Sequence, residues 1–246
     1  MKKAVRLAAV VLAVSARAIA APHEIEIETD DIAGVREQAL ALHANVGRPG
    51  RNDVDREHRI IRVMPEYAYG FSHHWQVALQ LPASRIAGDL EANGARAEVK
   101  YVAPHNDARG PYWGAAAKIS YSHALPDQGL WGLELTPIVG ARIGDWHFAV
   151  NAGLSLRLSG TQREVEFAPA AMAMFELNER HQVGLEYYGS LGPIKRFLPR
   201  EERGHVLFAA WNYDAGALGL NVGVGRGFTD SSDSWVAKMI LGMKLK

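Results

Sequence analysis

The chain has 246 residues, 48% hydrophobic and 22% charged, with 27 basic against 27 acidic residues and no cysteine. An ordinary charge fraction without a basic excess argues against intrinsic disorder and against a basic nucleic-acid binder. Lack of cysteine excludes a disulfide framework, a thiolate metal site, a cysteine nucleophile and a lipidated lipoprotein N-terminus.

Residues 1–20 have the layout of a Sec signal peptide: Lys2, Lys3 and Arg6 precede the apolar run Leu7–Val14, and Ala18-Ile19-Ala20 has the small-x-small form of a cleavage site. A membrane anchor is the other reading, but the run is far shorter than the roughly 20 residues a spanning helix needs. Cleavage after Ala20 leaves 23 basic against 27 acidic residues, a formal charge of −4. No second apolar span follows, so the exported chain is either soluble or inserted as a closed β-barrel. Residues 21–38, which include the alternation Glu24-Ile25-Glu26-Ile27-Glu28, read as an N-terminal periplasmic segment, an extension or a first strand.

From about residue 39 onward the pattern has period two. Trp146, Phe148, Val150, Ala152, Leu154, Leu156 and Leu158 share one phase, while His147, Asn151, Gly153, Ser155 and Arg157 share the other. About twelve strands are predicted, near 39–46, 59–70, 75–82, 95–103, 112–121, 131–143, 146–158, 164–177, 183–190, 205–214, 217–225 and 235–246. Their lengths suit a tilted bilayer crossing, and the even count suits an antiparallel transmembrane β-barrel over residues 39–246. Longer connections at 47–58, 83–94, 122–130, 159–163, 191–204 and 226–234 alternate with mostly shorter ones, the asymmetry of an outer-membrane barrel. Three prolines inside predicted strands, Pro65, Pro137 and Pro169, oppose this reading unless bulges absorb them.

All six tryptophans, Trp75, Trp113, Trp131, Trp146, Trp211 and Trp235, fall at or near strand ends, the positions of membrane-interface aromatics. One belt, on the turn side, gathers Tyr67, Tyr69, Trp75, Tyr101, Trp113, Trp146, Phe175, Trp211 and Tyr213. The other gathers Tyr121, Trp131, Phe167, Tyr187 and Trp235 on the loop side. Strand charges are assigned to the phase opposite the apolar one. Arg62, Glu66, Lys118, Glu134, Arg142, Arg157, Glu176, Glu186 and Lys238 are the lumen or channel-lining candidates, and Glu98, Lys100, Glu164, Glu166, Arg226 and Lys244 share that phase. Hairpin registry through Gly144-Asp145 sets Arg142 near His147, Arg157 near Gly132 and Glu134 near Ser155. Rings of such charges can select permeating solutes, whereas opposite charges pairing across a narrow barrel would plug it.

No other motif supports chemistry. His73-His74 sits in a predicted turn, and the ten histidines show no metal-ligand spacing. Gly223, Gly225 and Gly227 alternate within a strand and lead into no helix, so they read as small residues facing the lumen. Thr229–Asp233 reads as a solvated turn, and Lys195–Arg203 as a charged loop able to meet lipopolysaccharide phosphates. No catalytic residue, metal or cofactor is expected, and the chain is not read as an enzyme.

Several stretches resemble Gram-negative outer-membrane proteins related to the MetA-pathway phenol-degradation and transporter-like barrels. They are Met64–Gly70, Thr136–Gly140 with Gly144-Asp145-Trp146, Phe167–Ala170, Val183–Gly189, and Gly223–Thr229 followed by Ser232–Trp235. The resemblance implies an outer-membrane barrel whose strands accommodate the three prolines, with transport of small molecules. One departure is the terminus Met243-Lys244-Leu245-Lys246, where many such barrels end in an aromatic residue used in assembly. The resulting expectation is a passive or weakly selective porin-like channel in the cell outer membrane. Its partners would be outer-membrane lipids, lipopolysaccharide, the barrel assembly machinery and a small solute, with no nucleic acid. The alternatives are a non-conducting structural or surface-interaction barrel, and a soluble periplasmic β-protein binding an apolar ligand.

Overall fold

The structure, a computed structural model, describes residues 25–51, 58–85, 88–105, 109–125, 128–159 and 163–245. The expected signal peptide and residues 21–24 lie outside the described residues. Twelve long antiparallel strands follow one another: β1 (Gln38–Arg48), β2 (Ile60–Ser72), β3 (Trp75–Gln80), β4 (Gly94–Val102), β5 (Gly110–Leu125), β6 (Gln128–Ile143), β7 (Trp146–Arg157), β8 (Val165–Asn178), β9 (His181–Ser190), β10 (Gly204–Asp214), β11 (Leu218–Gly227) and β12 (Trp235–Leu245). Each pairs with its neighbours in sequence, and β1 also pairs with β12 from Gln38↔Leu245 to Arg48↔Trp235. The twelve long strands therefore close into a ring, with no free edge among them.

Tight connections at 73–74, 144–145, 179–180 and 215–217 cluster with 103–105 at one end, the turn end, where β1 also begins. The other connections lie at the opposite, loop end. Two expectations need correction there. The loop expected at 122–130 is mostly strand, because β5 and β6 continue to Leu125 and from Gln128. The turn at 229–233 is not simply solvated: Ser232 and Asp233 are buried, Ser232 Oγ accepts from the His205 amide at 2.7 Å, and Thr229 Oγ1 donates to the Arg203 carbonyl at 2.6 Å.

The prolines are absorbed by local gaps in pairing rather than by bulges. Pro65 lies opposite the break between β3 and the short ribbon Ala83–Arg85, and its carbonyl accepts from the Leu81 amide at 3.0 Å. Pro137 pairs with Ala115 on one side. On the other, the β6–β7 ladder lapses between Leu135↔Leu154 and Ile138↔Asn151 without a register shift. Pro169 pairs with Ala152, and its other side faces the gap between β9 and the ribbon Gly192–Pro193. Each missing amide donor thus falls where the neighbouring strand has already broken its ladder.

Alternation splits the barrel wall cleanly. Leu40, Leu42, Val77, Leu79, Leu133, Leu135, Val139, Val150 and Leu241 are exposed on the outer face. Arg62, Glu98, Lys100, Lys118, Glu186 and Lys238 are buried on the inner one. Arg226 corrects the phase assignment: paired with Trp235 and with its guanidinium 5.2 Å from that ring, it shares the outer face with Val224. Inner aromatics need space from the neighbouring strand. At Gly225 a Cβ would lie 2.7 Å from carbons of the Phe208 ring, so glycine is what lets that ring lie inside the wall.

A barrel closed through β1 and β12 resists detergent until heated. The folded mature chain is expected to migrate faster on a gel before boiling than after, and identical mobility would show that the ladder between β1 and β12 does not form.

Candidate functional site

The candidate site is the lumen, and the chain's own residues 25–36 occupy it. This stretch forms none of the barrel's strands. It folds back from β1 at the turn end, where Arg36 adopts a φ of 62°, the Arg36 amide donates to Gly70 O at 2.7 Å and the Gly70 amide donates to Glu37 O at 3.0 Å. A Cβ on Gly70 would meet the carbonyl oxygens of Ala33 and Gly34 at 2.1 and 2.2 Å, so only glycine admits the fold-back.

From there the segment is held at successive points. The Ala33 amide donates to Gln76 Oε1 at 2.7 Å. Asp30 forms a two-point ion pair with Arg142, in which Nη2 donates to Oδ1 at 2.8 Å and Nη1 donates to Oδ2, and His105 Nε2 stands 3.2 Å from Oδ2. The Asn151 side chain clips the main chain of Glu28: its Oδ1 accepts from the Glu28 amide at 2.7 Å and its Nδ2 donates to the Glu28 carbonyl at 2.9 Å. The Glu28 carboxylate lies between Lys100 Nζ at 2.8 Å and Lys118 Nζ at 2.9 Å, and Lys118 also meets Glu98 at 3.2 Å. Lys238 Nζ donates to the Ile25 carbonyl at 3.0 Å and is ion-paired with Glu186.

Apolar contacts complete the docking. Ile25 packs on Phe208 and Val236, and Ile27 on Ala149 and Ala170, from the wall formed by β7, β8, β10 and β12. Glu28 and Asp30 meet cations of β4, β5 and β6. Burial alone would raise the Glu28 and Asp30 carboxyls, but the ammoniums of Lys100 and Lys118, and the guanidinium of Arg142, hold both below the usual carboxylate range.

The segment stands between two cavities. The loop-side cavity, about 420 Å³, is lined by Ile25, Glu134, Arg157, Tyr188, Phe208 and Val236 among others. The turn-side cavity, about 460 Å³, is lined by Ile32, His43, Glu66, Gln182, Lys238 and Asn221 among others.

The nine candidate charges all belong to the inner phase, and the β6–β7 register pairs Arg142 with His147, Gly132 with Arg157 and Glu134 with Ser155. Lys118 and Arg142 meet the segment's carboxylates, and Lys238 and Glu186 meet each other beneath Ile25. Glu66 accepts from Gln80 at 2.7 Å and lies 3.5 Å from His43, which in turn is 3.7 Å from Glu26. The other four do not share these contacts: Arg62 lies 3.7 Å from Asp233, Glu134 accepts from Thr136, Glu176 accepts from Gln182, and Arg157 is exposed at the loop-end mouth. Trp75, Trp113, Trp131, Trp146 and Trp235 are exposed on the outer face, and Trp211 Nε1 donates to His181 at 3.1 Å. Asn151, Lys100, Gln76 and the segment's own acids were not among the candidates. Lys100 and Asn151 already share the inner phase in the sequence, and the alternation at 24–28 is the signal for the segment's own acids. Among the described residues no cluster of metal-ligating side chains occurs.

No protein-family model and no curated protein matches the chain. Its fold matches that of solved outer-membrane channels. The COG4313 outer membrane channel from Pseudomonas putida F1 has TM-score 0.65 at 10% identity, over 90% of this chain and 100% of that one. The KdgM porin in complex with disordered oligogalacturonate has TM-score 0.57 at 9% identity, over 85% and 98%. The NanC porin has TM-score 0.55 at 10% identity, over 84% and 99%. The chain is thus similar in fold to porin-like outer-membrane β-barrels.

Substituting Asn151→Ala removes both clips and strands a buried amide and carbonyl, at a cost of about 1–3 kcal/mol for each unsatisfied group. Amide exchange at Glu28 is expected to quicken by about tenfold or more, while Arg157→Ala leaves it unchanged; equal protection in both variants would refute the clip.

Proposed function

We propose that the chain is exported by residues 1–20, inserted in the outer membrane as a β-barrel with its tryptophans at the two interfaces, and acts there as a passive, weakly selective channel for small solutes. Residues 25–36 are the internal constriction, and the twelve strands from Gln38 onward are the wall. The observation that carries this reading is the lumen itself: a charged interior with a cavity on each side of one segment, inside a wall whose outer face is apolar. Opposite charges paired throughout the interior would make it a scaffold, whereas here the pairs gather at one docked segment and leave a cavity on each side of it, a path with an obstruction. The fold-level likeness to channels supports the same reading, and the motifs at 64–70 and 136–140 support a relation to the MetA-pathway family. Lipopolysaccharide, outer-membrane lipids and the barrel assembly machinery follow as partners from that location. The second reading, a non-conducting structural barrel, is favoured by one observation, that the segment fills the middle of the lumen.

Planar-bilayer conductance of the refolded mature chain separates the two. Steady steps are expected. Ile25→Ser with Ile27→Ser gives up roughly 3–6 kcal/mol of apolar burial and is expected to raise the step size. Silence from both chains, each shown folded by its gel mobility, would establish the scaffold. Neutralising Arg142→Gln and Arg157→Gln is expected to move the reversal potential toward cations, and an unchanged potential would remove these two as channel-lining groups.

A further inference from the structure

We propose that the two stations occupied by Glu28 and Asp30 form a binding site for a linear solute carrying two or more carboxylates, and that the segment is an internal stand-in which such a solute displaces. The inference rests on the channel reading above for its physiological setting, but its site is argued from the lumen alone.

The argument begins with which charges depend on which. Several wall charges pair within the wall and its loops: Lys118 with Glu98, Lys238 with Glu186, Arg62 with Asp233. Lys100 and Arg142 take carboxylate partners from the segment, Glu28 and Asp30. Removing one member of a buried pair leaves the other uncompensated. Withdrawal of the segment without replacement would leave buried Lys100 to share Glu98 with Lys118, and would take from the partly exposed Arg142 its carboxylate partner. The segment therefore exchanges against anions rather than leaving an empty lumen.

The geometry then restricts the anion. Glu28 and Asp30 are two residues apart, so their Cα atoms are separated by at most about 7 Å. The first station receives a carboxylate between two ammoniums, and the second receives one on the fork of Arg142, a planar match for a carboxylate rather than for a spherical halide. Two stations this close reward a solute that reaches both, since the second contact forms at high effective concentration. Asn151 adds a donor and an acceptor that now hold a peptide unit and suit an amide or hydroxyl on the solute's backbone. Access is provided by the loop-side cavity, which reaches Glu28, Lys118 and Asn151.

The test is calorimetric titration of the folded mature chain in detergent with α,ω-dicarboxylates from succinate to sebacate, and with hexanoate as the single-charge control. Affinity is expected to peak at one chain length and to exceed that of hexanoate by about a hundredfold. Hydrogen exchange of residues 25–33 is expected to rise as the best dicarboxylate binds. Glu28→Gln with Asp30→Asn weakens the internal competitor and is expected to tighten binding about tenfold. Lys100→Gln with Arg142→Gln is expected to abolish it, with gel mobility confirming the fold. Affinity flat across the series, equal for hexanoate, or unchanged in the Glu28/Asp30 variant would overturn the site. Conductance is read separately, so binding without steps refutes the channel alone, and steps without binding refute the site alone.

Discussion

The lumen depends on one requirement, that a cation removed from bulk water keeps a counter-charge. Lys100 and Lys118 stand on adjacent strands, β4 and β5, and share the field of Glu98, which faces Lys118 across the ladder and meets it at 3.2 Å. One strand carboxylate against two ammoniums leaves a positive excess, and Glu28 supplies the missing charge at 2.8 and 2.9 Å. A similar balance recurs one step toward the turn end, where Asp30 meets Arg142. The segment is therefore part of the barrel's electrostatics and not an appendage resting in a hole.

Apolar packing fixes which way the segment faces. Its odd positions, Ile25 and Ile27, meet a wall of small and aromatic residues, and its even positions, Glu28 and Asp30, meet the cations on the other side. An amphipathic chain in an amphipathic lumen has one favourable rotation, since a turn of 180° would bury both carboxylates against Phe208 and Ala149. Gly225 contributes at a distance, because the Phe208 ring that supports Ile25 needs the space where a side chain at 225 would stand.

Period two made the barrel legible. Twelve alternating stretches, an even count, Gly144-Asp145 as a turn and tryptophans at the strand ends specify wall, register and faces, and the β6–β7 pairing follows from the turn alone. Arg226 shares the phase of Leu218, Leu220, Val222 and Val224, so alternation itself turns it outward, where its guanidinium lies over the Trp235 ring at the end of the strand. The prolines were legible as a problem but not as a solution, since a gap in a neighbouring ladder is a property of pairing between strands. The occupied lumen was the hardest to read. Alternation at 24–28 states that one face is apolar and the other acidic, but a strand, a tail and a segment docked inside a barrel all satisfy it. Only closure of the barrel, a long-range event joining β1 to β12, creates the interior that distinguishes them.

Tethering sets how such an obstruction behaves. The segment is continuous with β1 and turns back through Gly70 within a few residues, so when it detaches it stays at high local concentration beside its own site. A lone anion must compete against that concentration with one contact, whereas the segment returns with Asn151, Lys100, Lys118, Arg142 and two isoleucines engaged together. On the proposed channel reading, small monovalent ions would fill the cavities without clearing the segment, and discrimination would arise from the number of contacts a solute makes at once rather than from the strength of any single charge. On the same reading, a solute that displaces the segment does so by matching several of its contacts at once, which a bare ring of lysines would not require.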